Sequence, residues 1–201
     1  MKSKNSLRQG KHCTIWSKDK FEKGWHNKDM KIIEKIFDSV LLLQPDGRED
    51  SRGTMQVFFS KKTMAELADG FNITEQRIYR IPQKHTFFGI HYQKPEAAKG
   101  KFISVVQGKA LDYIVDFRPD SKTYKQYKSF ELNADTPLLV FIPAGFGHGF
   151  LTMEDNTIQA FAVDADFEKE SSGIVNYKDP EIGLKLPVEN IIISDYDKNV
   201  N

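Results

Sequence analysis

The stretch from Phe88 to Arg118, FGIHYQKPEAAKGKFISVVQGKALDYIVDFR, decides the fold of this chain. It opens with a histidine, His91, at the end of an apolar run. A loop punctuated by Pro95 and Gly100 follows, and then two segments with strand character. The second carries Asp112 and Asp116 at an even spacing, so both carboxylates point to one face of a sheet. A companion stretch, Leu138 to Phe150 (LLVFIPAGFGHGF), reads as a strand, a Pro-Gly turn and a second histidine, His148. Two histidines on strands, with carboxylates on neighbouring strands, form the kind of set that an acid–base site inside a β-barrel requires.

Working outward, short strand-like segments follow one another at 73–81, 86–93, 101–107, 110–118, 126–132, 138–142, 149–153 and 157–164, separated by Gly, Pro, Asn and Asp turns. That spacing predicts an antiparallel sandwich or barrel rather than βαβ units. Upstream, KIIEKIFDSVLLLQPD is an apolar run ending at a proline, GREDSRG reads as a charged turn, and Thr54–Phe59 reads as a strand. Ser60 is placed to cap a short helix, KKTMAELADG, with Met64, Leu67 and Ala68 on one face and Gly70 as its stop. The tail from Ser171 is rich in turn residues and is expected to wrap the barrel and deliver a few residues to one mouth. Residues 1–30 are polar and lysine-rich and read as an extension; 31–201 read as one domain.

The 201 residues carry 29 basic and 28 acidic side chains, a formal net charge of +1, so nothing favours a nucleic-acid partner. The single cysteine, Cys13, rules out an intramolecular disulfide. The basic N-terminus is followed by no apolar stretch of signal-peptide length, and no segment reads as a membrane span. A cytoplasmic protein with no membrane partner is the expectation.

Several pieces, in order, resemble the dTDP-4-dehydrorhamnose 3,5-epimerase family. They are Asp50-Ser51-Arg52-Gly53, Gly89-Ile90-His91-Tyr92-Gln93, Gly100-Lys101, Val115-Asp116-Phe117-Arg118, Pro143 to Phe150, and Asp179-Pro180 with Ile182-Gly183. The resemblance covers roughly residues 38–195. It implies an all-β, jelly-roll (cupin-type) antiparallel barrel with short peripheral helices. It also implies a homodimer paired through residues 31–60 and a nucleotide-linked 4-keto-6-deoxy sugar as substrate, with no cofactor. Such enzymes remove a proton beside the ketone and return it to the opposite face, which demands a positioned base and stabilisation of the enolate oxygen. By the same resemblance His91 is the base, Asp179 the carboxylate that orients it, and Lys101 the cation at the enolate oxygen. Asp112, His148 and Gln76 fall among the substrate-binding residues, and Arg52 meets the phosphates.

The chain departs from the family pattern at the residue that usually supplies the proton on the far face, a tyrosine, here Phe161. An arginine usual before the base histidine is Phe88, and two further basic positions are Ser104 and Gln107. One reading is therefore an epimerase that uses water or another tyrosine (Tyr92, Tyr113 or Tyr177) as acid, with Arg77, Arg80 and Lys84 as substitute cations. The alternative is a catalytically degenerate barrel that binds a sugar nucleotide or acts as a structural partner. A metal-dependent cupin is disfavoured because Gln93 stands where a second histidine ligand is expected.

Overall fold

A computed structural model describes residues 30–68, 70–94, 100–166 and 171–198; the expectations placed on Cys13 and the rest of 1–29 lie outside it. In chain order the strands are β1 (Lys31–Ile36), β2 (Val40–Gln44), β3 (Asp46–Asp50), β4 (Gly53–Val57), β5 (Glu75–Ile81), β6 (Phe87–Gln93), β7 (Lys101–Gln107) and β8 (Lys109–Asp116). They continue with β9 (Tyr127–Asn133), β10 (Leu139–Ile142), β11 (Phe146–Thr152), β12 (Thr157–Val163) and β13 (Ser172–Val175), joined by helices α1 (Lys61–Leu67) and α2 (Asp195–Lys198). A six-stranded sheet runs β1-β2-β10-β7-β12-β5 and a five-stranded sheet runs β13-β6-β11-β8-β9, with β3-β4 as a separate hairpin. Pairing between these strands is antiparallel throughout, as the sequence spacing predicts.

Alternation sorts each strand's side chains into layers. Ile103 and Val105 of β7 join Val140, Ile142, Ala110, Ile114, Phe146 and Phe150 in the core between the sheets. Phe102, on the opposite face of β7, packs instead with Leu41, Leu139 and Phe141 beneath Met64 of α1 and Ala68 just after it. The outer face of the five-stranded sheet carries Phe87, Ile90, Leu111, Tyr113 and Val115, covered by the tail through Tyr177, Ile182, Leu184, Ile191 and Ile193. The tail therefore wraps the barrel, as its composition suggests.

Three local readings are corrected. The apolar run 31–45 is a hairpin, β1–β2, turned by Phe37 and Asp38 with φ of 50° and 59°, a left-handed turn made without glycine. GREDSRG is not an open turn: its first half pairs in β3 with β4, leaving only Ser51 and Arg52 at the bend. His148 does not sit in a turn but inside β11, which begins at Phe146. In FGHGF the two aromatics face the core, and Gly147 and Gly149 face outward. Side chains at those glycines would strike Ile90 at 2.8 and 2.5 Å, so their absence lets β6 lie close against β11. Among the described residues no helix is long and apolar enough to cross a membrane.

Candidate active site

The site is built around an irregularity in β6. Phe150 of β11 pairs with Phe88 of β6, but His148, two residues earlier, pairs with His91, three residues later. The extra residue is a β-bulge at Gly89-Ile90, and it turns both Phe88 and His91 toward the inside of the barrel. The two histidines are thereby cross-strand neighbours on one wall.

Each histidine is matched to a carboxylate. Nε2 of His148 lies 2.6 Å from Oδ1 of Asp112, whose side chain is fully buried one strand away. Nε2 of His91 lies 2.8 Å from Oδ1 of Asp197, the His91 side chain being 37% exposed and Asp197 only 6%. The latter contact is close but off the hydrogen-bond line, so neither atom has an aligned partner among the described residues. Catalytic contacts of this kind are often loose without substrate. With Nε2 turned to Asp197, Nδ1 is the nitrogen left to receive a proton, and the carboxylate stabilises the imidazolium that results.

Asp197 reaches His91 because the tail is pinned to the start of β6. Phe87 N–H donates to the Ile192 carbonyl at 2.7 Å, Ile192 N–H donates to the His85 carbonyl at 2.8 Å, and Thr86 and Ile192 form a parallel bridge. Two residues on, Ser194 caps α2: its hydroxyl donates to Oδ2 of Asp197 at 2.8 Å and accepts from the Asp197 N–H at 3.1 Å. Gly89 leaves room for the carboxylate, since a Cβ there would sit 3.2 Å from its Cγ and Oδ1. Burial acts to raise the Asp197 carboxyl, but His91, the Ser194 hydroxyl and the Gly89 N–H outweigh it and hold it below the usual carboxylate range.

This corrects the sequence reading of Asp179. Its carboxylate accepts from the Glu181 N–H at 2.8 Å and lies 4.0 Å from Lys125, while its carbonyl accepts from Ile182 and Gly183. It shapes the turn that seats Ile182 on the outer cluster, as an aspartate before proline commonly does. The signal that could have found Asp197 is the Ser194–Asp197 spacing of a capping box.

The facing wall is the six-stranded sheet. Phe161 of β12 pairs with Ile103 of β7 and Arg77 of β5, and Val163 pairs with Lys101. Lys101 thus shares the inward face with Ile103, on the wall opposite His91. Gln76 does not: it pairs with Ala162 and shares that residue's outward face, and Arg77 and Tyr79 take the inward positions of β5. Arg77 makes a bidentate pair with Glu75 at 2.7 and 2.5 Å, which raises the guanidinium pKa further, and lies 5.8 Å from the Phe161 ring. Arg52 stands 81% exposed at the β3–β4 bend, bonded among the described residues to Asp50 alone. A separate cavity of about 450 Å3 beside Lys35, Asp38, Glu66 and Arg118 holds none of these side chains. Among the described residues no group of three or more His, Cys, Asp and Glu side chains is arranged to hold a metal.

The family model described as dTDP-4-dehydrorhamnose 3,5-epimerase matches residues 34–201. The chain belongs to the dTDP-4-dehydrorhamnose 3,5-epimerase family. It shares 28% identity over 175 residues with the enzyme of that name from Methanothermobacter thermautotrophicus, covering 85% of this chain and 93% of that one. It shares 26% over 158 residues with a dTDP-4-dehydro-6-deoxyglucose 3-epimerase from a Streptomyces species, covering 78% and 80%. The crystal structure of the Bacillus anthracis dTDP-4-dehydrorhamnose 3,5-epimerase, with TDP and PPi bound, superposes with a TM-score of 0.82 at 34% identity, covering 86% of this chain and 98% of that one. The family is one of isomerases, and the expected all-β, cupin-type barrel is the fold this chain has.

Proposed function

We propose that the protein epimerises a nucleotide-linked 4-keto-6-deoxy sugar in deoxysugar biosynthesis, with His91 as the base that removes the proton beside the ketone. The observation that carries this reading is the His91–Asp197 pair, held on the inner wall beside His148–Asp112 and facing the wall that bears Lys101. A C–H beside a ketone is weakly acidic, so the base must be oriented and the enolate oxygen must meet a positive charge. Asp197 orients His91 and balances the imidazolium; Lys101 is the cation for the oxygen; His148, fixed by Asp112, is a donor within the same cleft.

TDP bound in the Bacillus anthracis relative supports a thymidine nucleotide as the carrier. Arg52 then serves the phosphates, and its exposure at the β3–β4 bend suits a homodimer in which residues 31–60 carry it to the partner's cleft. The protein acts in the cytoplasm as one domain from residue 31 onward.

The test is incubation with dTDP-4-keto-6-deoxy-glucose, following configuration at C3 and C5 by NMR. Inversion at one or both carbons is expected. Binding of the nucleotide sugar with no inversion would instead assign the degenerate barrel, the reading that Phe161 favours because a phenyl ring has no proton to give.

A further inference from the structure

Inversion needs a proton donor on the face of the sugar away from His91, and Phe161 cannot be that donor. The three tyrosines that the sequence offered as substitutes are not in the cleft. Tyr113 is buried in the outer cluster, where burial pushes its phenol far up, and Tyr177 packs in the same cluster on Phe87. Tyr92 faces outward, tilted against Phe117 and pressed against Gly173.

A fourth tyrosine has the required position. Tyr79 pairs with Gln159 in the register that turns Arg77 and Ile81 inward, so its ring projects from the six-stranded sheet toward the five-stranded one. The ring stacks on Phe161 at 5.9 Å and 15°, and meets Phe88 at 5.3 Å. Phe88 is on the same strand as His91, turned inward by the same bulge. Phenol and imidazole therefore stand on opposite walls of one cleft, with two phenylalanine rings clamping the phenol between them. At 46% exposed, Tyr79 keeps access to solvent. Arg77, two residues away on the same face, places a guanidinium where it would stabilise a phenolate.

We propose that Tyr79 is the catalytic acid of this chain, donating its phenolic proton to the enolate carbon from the side opposite His91. The proposal rests on the epimerase reading above. In the first half-reaction Nδ1 of His91 takes the proton from carbon, the C–H electron pair becomes the carbon–carbon π bond of the enolate, and the carbonyl π pair moves onto the oxygen. In the second, that π pair takes the Tyr79 proton on the other face while the oxygen pair re-forms the carbonyl π bond, restoring the ketone and leaving a phenolate. The phenolate is reprotonated from solvent and the imidazolium returns its proton to solvent, so nothing else is consumed.

The test compares the wild-type protein and Tyr79→Phe with dTDP-4-keto-6-deoxy-glucose in D2O, reading inversion and deuterium uptake separately by NMR. For Tyr79→Phe the expected result is inversion slowed by about a hundredfold or more, deuterium uptake continuing with configuration retained, and an unchanged unfolding midpoint. The last follows because the variant keeps the ring that stacks on Phe161. Inversion within about threefold of wild type would overturn the proposal while leaving the epimerase reading intact. Loss of uptake together with inversion would also overturn it, by placing Tyr79 in enolate formation. A wild-type protein that neither exchanges nor inverts would overturn the epimerase reading itself, and the proposal with it.

Discussion

On the five-stranded wall of the cleft each histidine already has its carboxylate: His91 lies 2.8 Å from Asp197, and His148 lies 2.6 Å from Asp112. The six-stranded wall has a different character. Its inward positions hold Phe161, Tyr79 and Arg77, the last engaged with Glu75, and Lys101 at the start of β7. The first wall keeps both histidines that the family resemblance implies, though Phe88 stands there in place of an arginine, and the second lacks the tyrosine expected at Phe161. Removing a proton requires a base whose charged form is stabilised in advance, and a carboxylate fixed by the Ser194 hydroxyl beside the His91 ring provides that. Returning a proton requires only a donor at the right place, and such a group can move from one strand to its neighbour without disturbing the base. The contrast between a fixed wall and a re-equipped wall is what experiments should try to break.

The strongest challenge to the fixed wall, short of removing His91 itself, is Asp197→Asn. Turnover should fall by about a hundredfold, because the amide preserves shape but cannot balance the imidazolium. The same variant tests stability against pH. Asp197 is held below the usual carboxylate range in the folded chain, so its contribution is present above about pH 4, the unfolded value, and is lost as pH falls through the lower folded value. The stability gap between wild type and Asp197→Asn should therefore narrow in acid denaturation series below about pH 4.

Gly89→Ala is a milder perturbation of the same wall. The new Cβ would stand 3.2 Å from the Asp197 carboxylate, and moving that group a few tenths of an ångström off His91 should cost about tenfold in turnover. Turnover equal to wild type would mean that the tail absorbs the shift. The smallest effect is expected on the other wall. Phe161→Tyr adds a hydroxyl beside a phenol that already serves, so inversion at the carbon already handled should stay within about threefold, with any gain confined to a second carbon. A large rise at the first carbon would show that the wall had lost its donor rather than moved it.

How much of this could be read from the chain differs along the same lines. The strands and the shared face of Asp112 and Asp116 follow from alternation and from the short, turn-bounded segments, whereas the inward direction of His91 depends on the bulge at Gly89-Ile90. Asp197 was hidden because its approach to His91 depends on backbone bonds between Ile192 and residues 85–87, which no side-chain pattern announces. Asp179, in a conspicuous Asp-Pro turn, drew the assignment instead. Gly147 and Gly149 suggested a turn where they are the flat outer face of β11. On β5 the strand was legible but its phase was not. Gln76 was read as facing substrate, and the observed register turns Arg77 and Tyr79 inward, a one-residue difference that exchanges the two faces. The β1–β2 turn went unread because Phe37 and Asp38 adopt positive φ without the glycine that usually marks it.

The central claim, that His91 is the base, is tested most directly by solvent-deuterium incorporation. Wild-type protein and His91→Asn would be incubated in D2O with dTDP-4-keto-6-deoxy-glucose, and uptake at C3 and C5 followed by NMR. The account predicts uptake at one or both carbons in the wild type and none in His91→Asn, with thermal unfolding of the two nearly the same, because asparagine removes the proton acceptor and little of the packing. Uptake that survives in His91→Asn, alongside a large loss of stability, would contradict the account and make His91 a packing residue.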